Sequence, residues 1–224
     1  MLRVRGLTKK FGNITALNNV DLSIKKECLG IIGPNGAGKT TLFNIISGFL
    51  KPDRGKVTFN GVDITGKRPS KIVKMGIVRT FQIIKIFKNL TVLENLSLIC
   101  ENEMEILKDF GLWSKRDLVA SKLSQGEMRK LSIALAIATK PKVLMLDEPF
   151  SGLSPRECME LHGIIEDFKD GISIAIIEHK LKELFNLVDR VVVLNHGEIL
   201  CEGEPDQIVR DSRVIRAYIG EDYA

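Results

Sequence analysis

A chain of 224 residues with 33 Lys and Arg against 28 Asp and Glu, net charge +5, has the length of one α/β domain and only a mild basic excess. The basic residues are scattered, which speaks against a nucleic-acid partner, and no apolar run approaches the length of a membrane span. Met1 leads straight into a strand-like stretch, so no targeting segment is expected, and the separated Cys28, Cys100, Cys158 and Cys201 read as reduced thiols of a cytosolic protein.

Leu2 to Val4 and Ala16 to Ile24 alternate apolar and polar residues as half-exposed strands do, with Thr8 to Asn13 between them as a turn carrying one aromatic, Phe11. The apolar run Cys28 to Ile32 then feeds Gly33-Pro34-Asn35-Gly36-Ala37-Gly38-Lys39-Thr40-Thr41, and a helix-patterned Leu42 to Ile46 follows. This is G-x-x-x-x-G-K-[ST] in the strand-to-helix setting the pattern requires. Glycines let successive N–H groups converge on phosphate oxygens, and the helix start adds free N–H groups and the positive end of its dipole. Gly33, Asn35, Gly36, Gly38 and Thr41 belong to this cradle; Lys39 is expected to reach the β- and γ-phosphates, and the Thr40 hydroxyl to ligate Mg²⁺.

Lys56 to Ile64 alternates again around an Asn60-Gly61 hairpin turn, which completes a small antiparallel sheet. Ser70 to Met75 suggests a short helix and Ile77 to Gln82 a strand. Capping boxes at Thr91/Glu94, Ser124/Glu127 and Ser154/Glu157 open helices running to about Ile99, Thr139 and Lys169, with a short helix from Glu103 to Phe110 between the first two. From Val143 onward strand and helix alternate at the pace of βαβ units: strands at 143–146, 172–177, 190–194 and 198–201, a helix at 180–188 and two short helices within 205–219.

Val143-Leu144-Met145-Leu146 is buried-strand sequence that delivers Asp147 at its C-terminal end, where ligands bind in open α/β sheets. Asp147 is expected to hold Mg²⁺ beside Thr40. A second carboxylate directly after it, Glu148, costs repulsion, and is read as the general base for the attacking water. Ser124 and Gly126 open a capped helix whose N–H groups face an anion, although the chain's own phosphate site lies elsewhere.

Gly33 to Thr41, Gln82, Leu123 to Glu127, Asp147-Glu148 and His179, in this order and at about this spacing, resemble an ABC-type ATPase over essentially the whole chain. The resemblance implies a P-loop NTPase fold: a mostly parallel core sheet (29–50 and 140–204), an N-terminal antiparallel β subdomain (about 1–28 and 56–65), a short α-helical subdomain bearing the signature (88–139) and C-terminal helices (205–224). It implies that Phe11 stacks on adenine, that Gln82 ligates Mg²⁺ and the attacking water, and that His179 contacts the γ-phosphate. It further implies a head-to-tail dimer in which Ser124 and Gly126 close on the ATP held by a second ATPase subunit, homo- or heteromeric. The chain would then lie at the inner face of the cell membrane against transmembrane permease subunits, served indirectly by a solute-binding protein. The pattern departs from its commonest form at Gln125, Glu127 and Ser154, and the segment from Glu94 to Leu123 is short for the helical subdomain. Gly76 to Gln82, Leu90 to Leu96, Ile177 to His179 and Val214 to Gly220 are most similar to the ATP-binding subunits of branched-chain amino acid importers; lipopolysaccharide-transport and urea-import ATPases share parts of the pattern, and a non-transport ABC ATPase is the alternative from another class.

Overall fold

Four neighbouring strands of one sheet, apolar and buried at almost every position, set the architecture. In the computed structural model, which describes residues 1–219, strands β1 (Leu2–Phe11), β2 (Ile14–Ile24), β3 (Cys28–Ile32), β4 (Arg54–Phe59), β5 (Val62–Asp63), β6 (Ile77–Arg79), β7 (Val143–Asp147), β8 (Ser173–Ile177), β9 (Arg190–Asn195) and β10 (Glu198–Gly203) form two sheets. One is antiparallel, ordered β2-β1-β4-β5. The other is ordered β10-β9-β3-β8-β7-β6, parallel from β9 to β6 with β10 as an antiparallel edge.

The helices are α1 (Lys39–Ile46), α2 (Pro69–Lys74), α3 (Val92–Ser97), α4 (Glu103–Asp109), α5 (Gln125–Ala138), α6 (Pro155–Lys169), α7 (Leu181–Phe185), α8 (Pro205–Arg210) and α9 (Ser212–Ile219). Leu29, Ile31, Val143, Met145, Ala175, Ile177, Val192 and Leu194 face a core shared with the antiparallel sheet and with Leu42, Phe43, Ile45 and Ile46 of α1. Their neighbours Cys28, Ile32, Leu144, Leu146, Ile174, Ile176, Val191 and Val193 face a second core, filled from α5 and α6 by Leu131, Ile133, Leu161 and Ile165. Because both faces are covered, these strands read as continuous apolar runs. Burial also pushes the Cys28 thiol up to about 12, as suits an inert core residue.

The three expected capping boxes are present at Thr91, Ser124 and Ser154, each with both reciprocal hydrogen bonds. Three local expectations are corrected. β1 does not end at Val4: Lys9, Lys10 and Phe11 pair with Leu17, Thr15 and Ile14, so only Gly12 and Asn13 turn. Register shifts after Val4 and Leu7 break the simple alternation that would have announced the longer strand. The strand from Ile77 stops at Arg79, since the last bond to its neighbour is from the Thr80 N–H to the Met145 carbonyl. The helix expected over 180–188 is regular only from Leu181 to Phe185. Cys28 starts β3 of the parallel sheet, and Ile77–Arg79 joins that sheet at its edge. The expected pair of C-terminal helices is found as α8 and α9; Gly220, the last residue of the resembling C-terminal stretch, lies outside the described residues together with 221–224.

Candidate nucleotide-binding and hydrolysis site

β3, β8 and β7 are adjacent and parallel, with Ile31 opposite Ile177 and Ile177 opposite Asp147, so three chain segments leave the sheet side by side. The loop after β3 is Gly33 to Gly38. Gly33, Gly36 and Gly38 have φ of +152°, +80° and +104°, and a Cβ at Gly33 or Gly38 would run into the carbonyl oxygen of Leu194 or Ala16. Gly38 caps α1 without a side-chain bond, and the first turn holds no acidic residue, so the N–H groups at the helix start are uncovered toward an anion. Lys39 is only 6% exposed, and its Nζ donates to the carbonyls of Gly33 (2.6 Å) and Pro34 (2.9 Å). Burial draws its pKa down, while Glu148 and Asp147 act to raise it.

A cleft of ≈ 330 Å³ lies over this loop, lined by Phe11, Ala16, Asn35 to Thr41, Glu148 and His179. Phe11, at the end of β1, is 49% exposed on its rim, an aromatic face open to a planar ring. The donor set therefore fits a nucleoside phosphate: a cation and helix N–H groups for the phosphates, and an aromatic edge for the base.

Glu148 has φ of +49°, a backbone that a bulky residue adopts only when its surroundings enforce it. Its N–H donates to the Ile177 carbonyl at 2.9 Å, and its carboxylate is shared by two partners. Gln82 Nε2 donates to Oε2 at 2.8 Å, and His179 Nε2 lies 3.4 Å from Oε1. Gln82, Glu148 and His179, spread over almost a hundred residues of chain, thus meet at one carboxylate. Ser124 and Gly126 do not line this cleft. They sit at the start of α5, where a Cβ on Gly126 would strike the Glu157 carboxylate of α6 and one on Gly152 would strike the Gln125 amide. Gln125 is one of the departures from the common signature, and its side chain fills the gap that Gly152 leaves.

Asp147 brings a partner not expected from the sequence. Arg79 Nη2 donates to its Oδ2 at 2.7 Å, both side chains being nearly buried. Arg79 Nη1 also donates to Asn44 (2.7 Å) and Ser47 (3.3 Å), and the guanidinium lies over the Phe43 and Phe81 rings, 5.5 and 5.0 Å from their centroids. A charged residue closing the apolar strand Ile77–Arg79 is the available signal, since such a residue must find a partner. Among the described residues no three His, Cys, Asp or Glu side chains converge as a metal cage. Thr40 lines the cleft and Asp147 ends β7 beside it, oxygen donors of the kind Mg²⁺ takes together with phosphates and water.

A phosphate-binding loop between a buried parallel strand and its helix, with a carboxylate centre at the next strand ends, defines a P-loop nucleotide-hydrolysing cassette. Residues 17–151 match the ABC transporter family, and residues 198–224 match the branched-chain amino acid ATP-binding cassette transporter. The chain is 37% identical to the high-affinity branched-chain amino acid transport ATP-binding protein LivG of Salmonella typhimurium, across 99% of this chain and 98% of that one. It is 36% identical to a probable branched-chain amino acid transport ATP-binding protein LivG of Methanocaldococcus jannaschii, with the same coverage. The ADP conformation of MJ1267, an ATP-binding cassette of an ABC transporter, superposes with a TM-score of 0.90 at 38% identity, covering 99% of each chain. The dimeric post-hydrolysis state of the cassette MJ0796, bound to ADP and Pi, gives 0.80 at 27% identity, covering 92% of this chain and 99% of that one. The chain belongs to the ABC transporter family, among the ATP-binding cassettes that include LivG, and it is an ATPase of that family.

Proposed function

We propose that this chain powers the import of branched-chain amino acids, as the ATP-hydrolysing subunit of a transporter whose permeases and second ATPase subunit are separate chains. The convergence of Gln82 and His179 on Glu148 beside the phosphate loop carries the hydrolytic part of this reading. The solute is supported by near-full-length similarity to LivG proteins and by the match of residues 198–224.

The Gly33–Thr41 loop and the start of α1 bind the phosphates, Lys39 leaving its loop carbonyls for phosphate oxygens, while Phe11 stacks on the base. Thr40, Asp147 and Gln82 would hold Mg²⁺, which when bound would supply positive charge against the phosphates. Glu148 accepts the proton of the attacking water, Gln82 orients that water and His179 faces the γ-phosphate. Ser124 and Gly126 close on the phosphate held by the other ATPase subunit, so ATP forms part of the dimer interface. The working divisions are the antiparallel sheet, the parallel core with Cys28 and Ile77–Arg79 counted to it, the signature-bearing helical segment 88–139 and the C-terminal helices. Among the described residues no helix is long and apolar enough to cross a membrane, and we place the chain peripherally on the membrane's inner face through its permeases.

Glu148→Gln tests the mechanism. Turnover should fall by about 10²–10⁴-fold, the usual contribution of a general base, while ATP drives a stable dimer on a sizing column. Near-normal turnover, or a variant still monomeric with ATP, would overturn it. Co-purification with permease chains, followed by ATPase stimulation by leucine with its binding protein but not by urea, tests the solute.

A further inference from the structure

Two buried charges of opposite sign, neither lining the cleft, hold the loops that meet at Glu148. Glu178 follows β8 and is 1% exposed. Its Oε1 accepts the N–H of Phe150 at 2.8 Å, two residues beyond Glu148, while Oε2 accepts the N–H groups of His179 (2.7 Å) and Lys180 (3.1 Å). One carboxylate thus ties the turn that carries Glu148 to the turn that carries His179. Lys180 repeats the tie, its Nζ donating to the Leu153 carbonyl at 2.9 Å.

Arg129, on α5, is 2% exposed and donates from Nη1 to the Phe81 carbonyl and from Nη2 to the Gln82 carbonyl, each at 3.0 Å. The chain has by then left β6, so these carbonyls have no strand neighbour to bond. The anion takes only amides and the cation only carbonyls. The two also share one field: burial lowers the Arg129 pKa, opposed first by Glu178 and then by Glu148 and Asp147.

A fork of two parallel donors fixes direction as well as distance, and a carboxylate accepting three N–H groups fixes two turns at once. Misplacement of a reacting group by about 1 Å costs on the order of 10²-fold in rate. We propose that Glu178 and Arg129 are positioning residues of the hydrolytic centre: Glu178 sets His179 against the Glu148 turn, and Arg129 sets Gln82 against the same carboxylate. This rests on the reading of Gln82, Glu148 and His179 as the hydrolytic group.

Glu178→Gln is nearly isosteric. Its amide oxygen can still serve His179 and Lys180, but its NH₂ then confronts the Phe150 N–H, donor against donor. In the full-length chain kcat should fall about tenfold or more while KM for ATP stays within about twofold, the split expected when only transition-state geometry is lost. Added to His179→Ala, the substitution should cause no further loss, because what it disturbs is the setting of the His179 side chain against the Glu148 turn. Arg129→Lys, which keeps the charge but loses the fork, should lower kcat with the same split and add nothing to Gln82→Ala; it carries the test if Glu178→Gln does not fold. Unchanged kcat in the folded variants, losses that multiply in the double variants, or KM rising in step with the loss of kcat would overturn the proposal. Failure of the underlying reading is seen separately, as turnover surviving in Glu148→Gln alone.

Discussion

Arg79 and Asp147 show how a single residue pair can be costly and still retained. Removing two charges from water costs several kcal/mol per ion, and their attraction repays this only with good geometry and further hydrogen bonds. Here Asn44, Ser47 and two aromatic faces supply them. Arg79→Met should strand a buried carboxylate and destabilise the chain by about 3–5 kcal/mol in denaturant titration. A loss below about 1 kcal/mol would show that the pair is dispensable to the fold. Lys39→Met should weaken ATP binding by roughly tenfold or more, the worth of a charge-assisted hydrogen bond, measured by equilibrium titration; unchanged affinity would remove Lys39 from the phosphate site. At this scale the sequence was legible where chemistry is contiguous. The phosphate loop and Asp147-Glu148 announce themselves, because strand, turn and reactive side chain are consecutive residues. Gln82 and His179 were reached through resemblance alone, a lone glutamine or histidine after a strand having no signature of its own. Arg79, Arg129 and Glu178 find their partners 68, 47 and 28 residues away, and no local pattern encodes such a distance.

Among the elements, the helices behind the three capping boxes were legible because their start signals lie within four residues. The box glutamates carry a pH signature. Glu94 is held below the usual carboxylate range by the Thr91 N–H and hydroxyl, and Glu157 by the Ser154 hydroxyl and N–H. At Glu127 burial acts to raise the pKa, but Lys115 and the Ser124 N–H outweigh it and lower the pKa. A carboxyl whose folded pKa is depressed contributes stability that is present above its unfolded pKa of about 4.3 and lost as pH falls through the folded value. The acid limb of the stability curve should therefore steepen below about pH 4.3 and flatten in the triple variant Glu94→Gln, Glu127→Gln, Glu157→Gln. Coincident acid limbs would show that the boxes carry no net linkage. Ser124→Ala should cost about 1 kcal/mol, the worth of one N-cap. Strand β1 was the least legible element, since its register shifts offset the period-2 pattern on which strand recognition depends.

At the scale of the whole molecule, the architecture follows from two cores on opposite sides of one parallel sheet, and continuous apolar strands alternating with helices made that sheet legible. The docking surface was less so. The alignment with LivG runs over 250 positions against a chain of 224, so that relative has at least 26 positions without a counterpart here. Apolar side chains stand exposed after Gln82, at Ile83, Phe87, Leu98 and Met104, which are 80, 58, 61 and 52% exposed. If permeases dock there, Ile83→Asp with Phe87→Asp should leave ATP affinity intact and abolish co-purification with membranes. Retained co-purification would move the docking site elsewhere on the chain.

The alternation of β3, β7, β8 and β9 between two cores also restricts how this protein can change in length. Loss or gain of one residue within any of these strands would send every following side chain to the opposite core. In β7 the same slip would carry Asp147 off its place opposite Ile177 and take Glu148 away from Gln82 and His179. Insertions and deletions should therefore be accommodated in the connections and not in the strands, which leaves the difference in length from LivG its natural place in the loops and helices that the sheet carries.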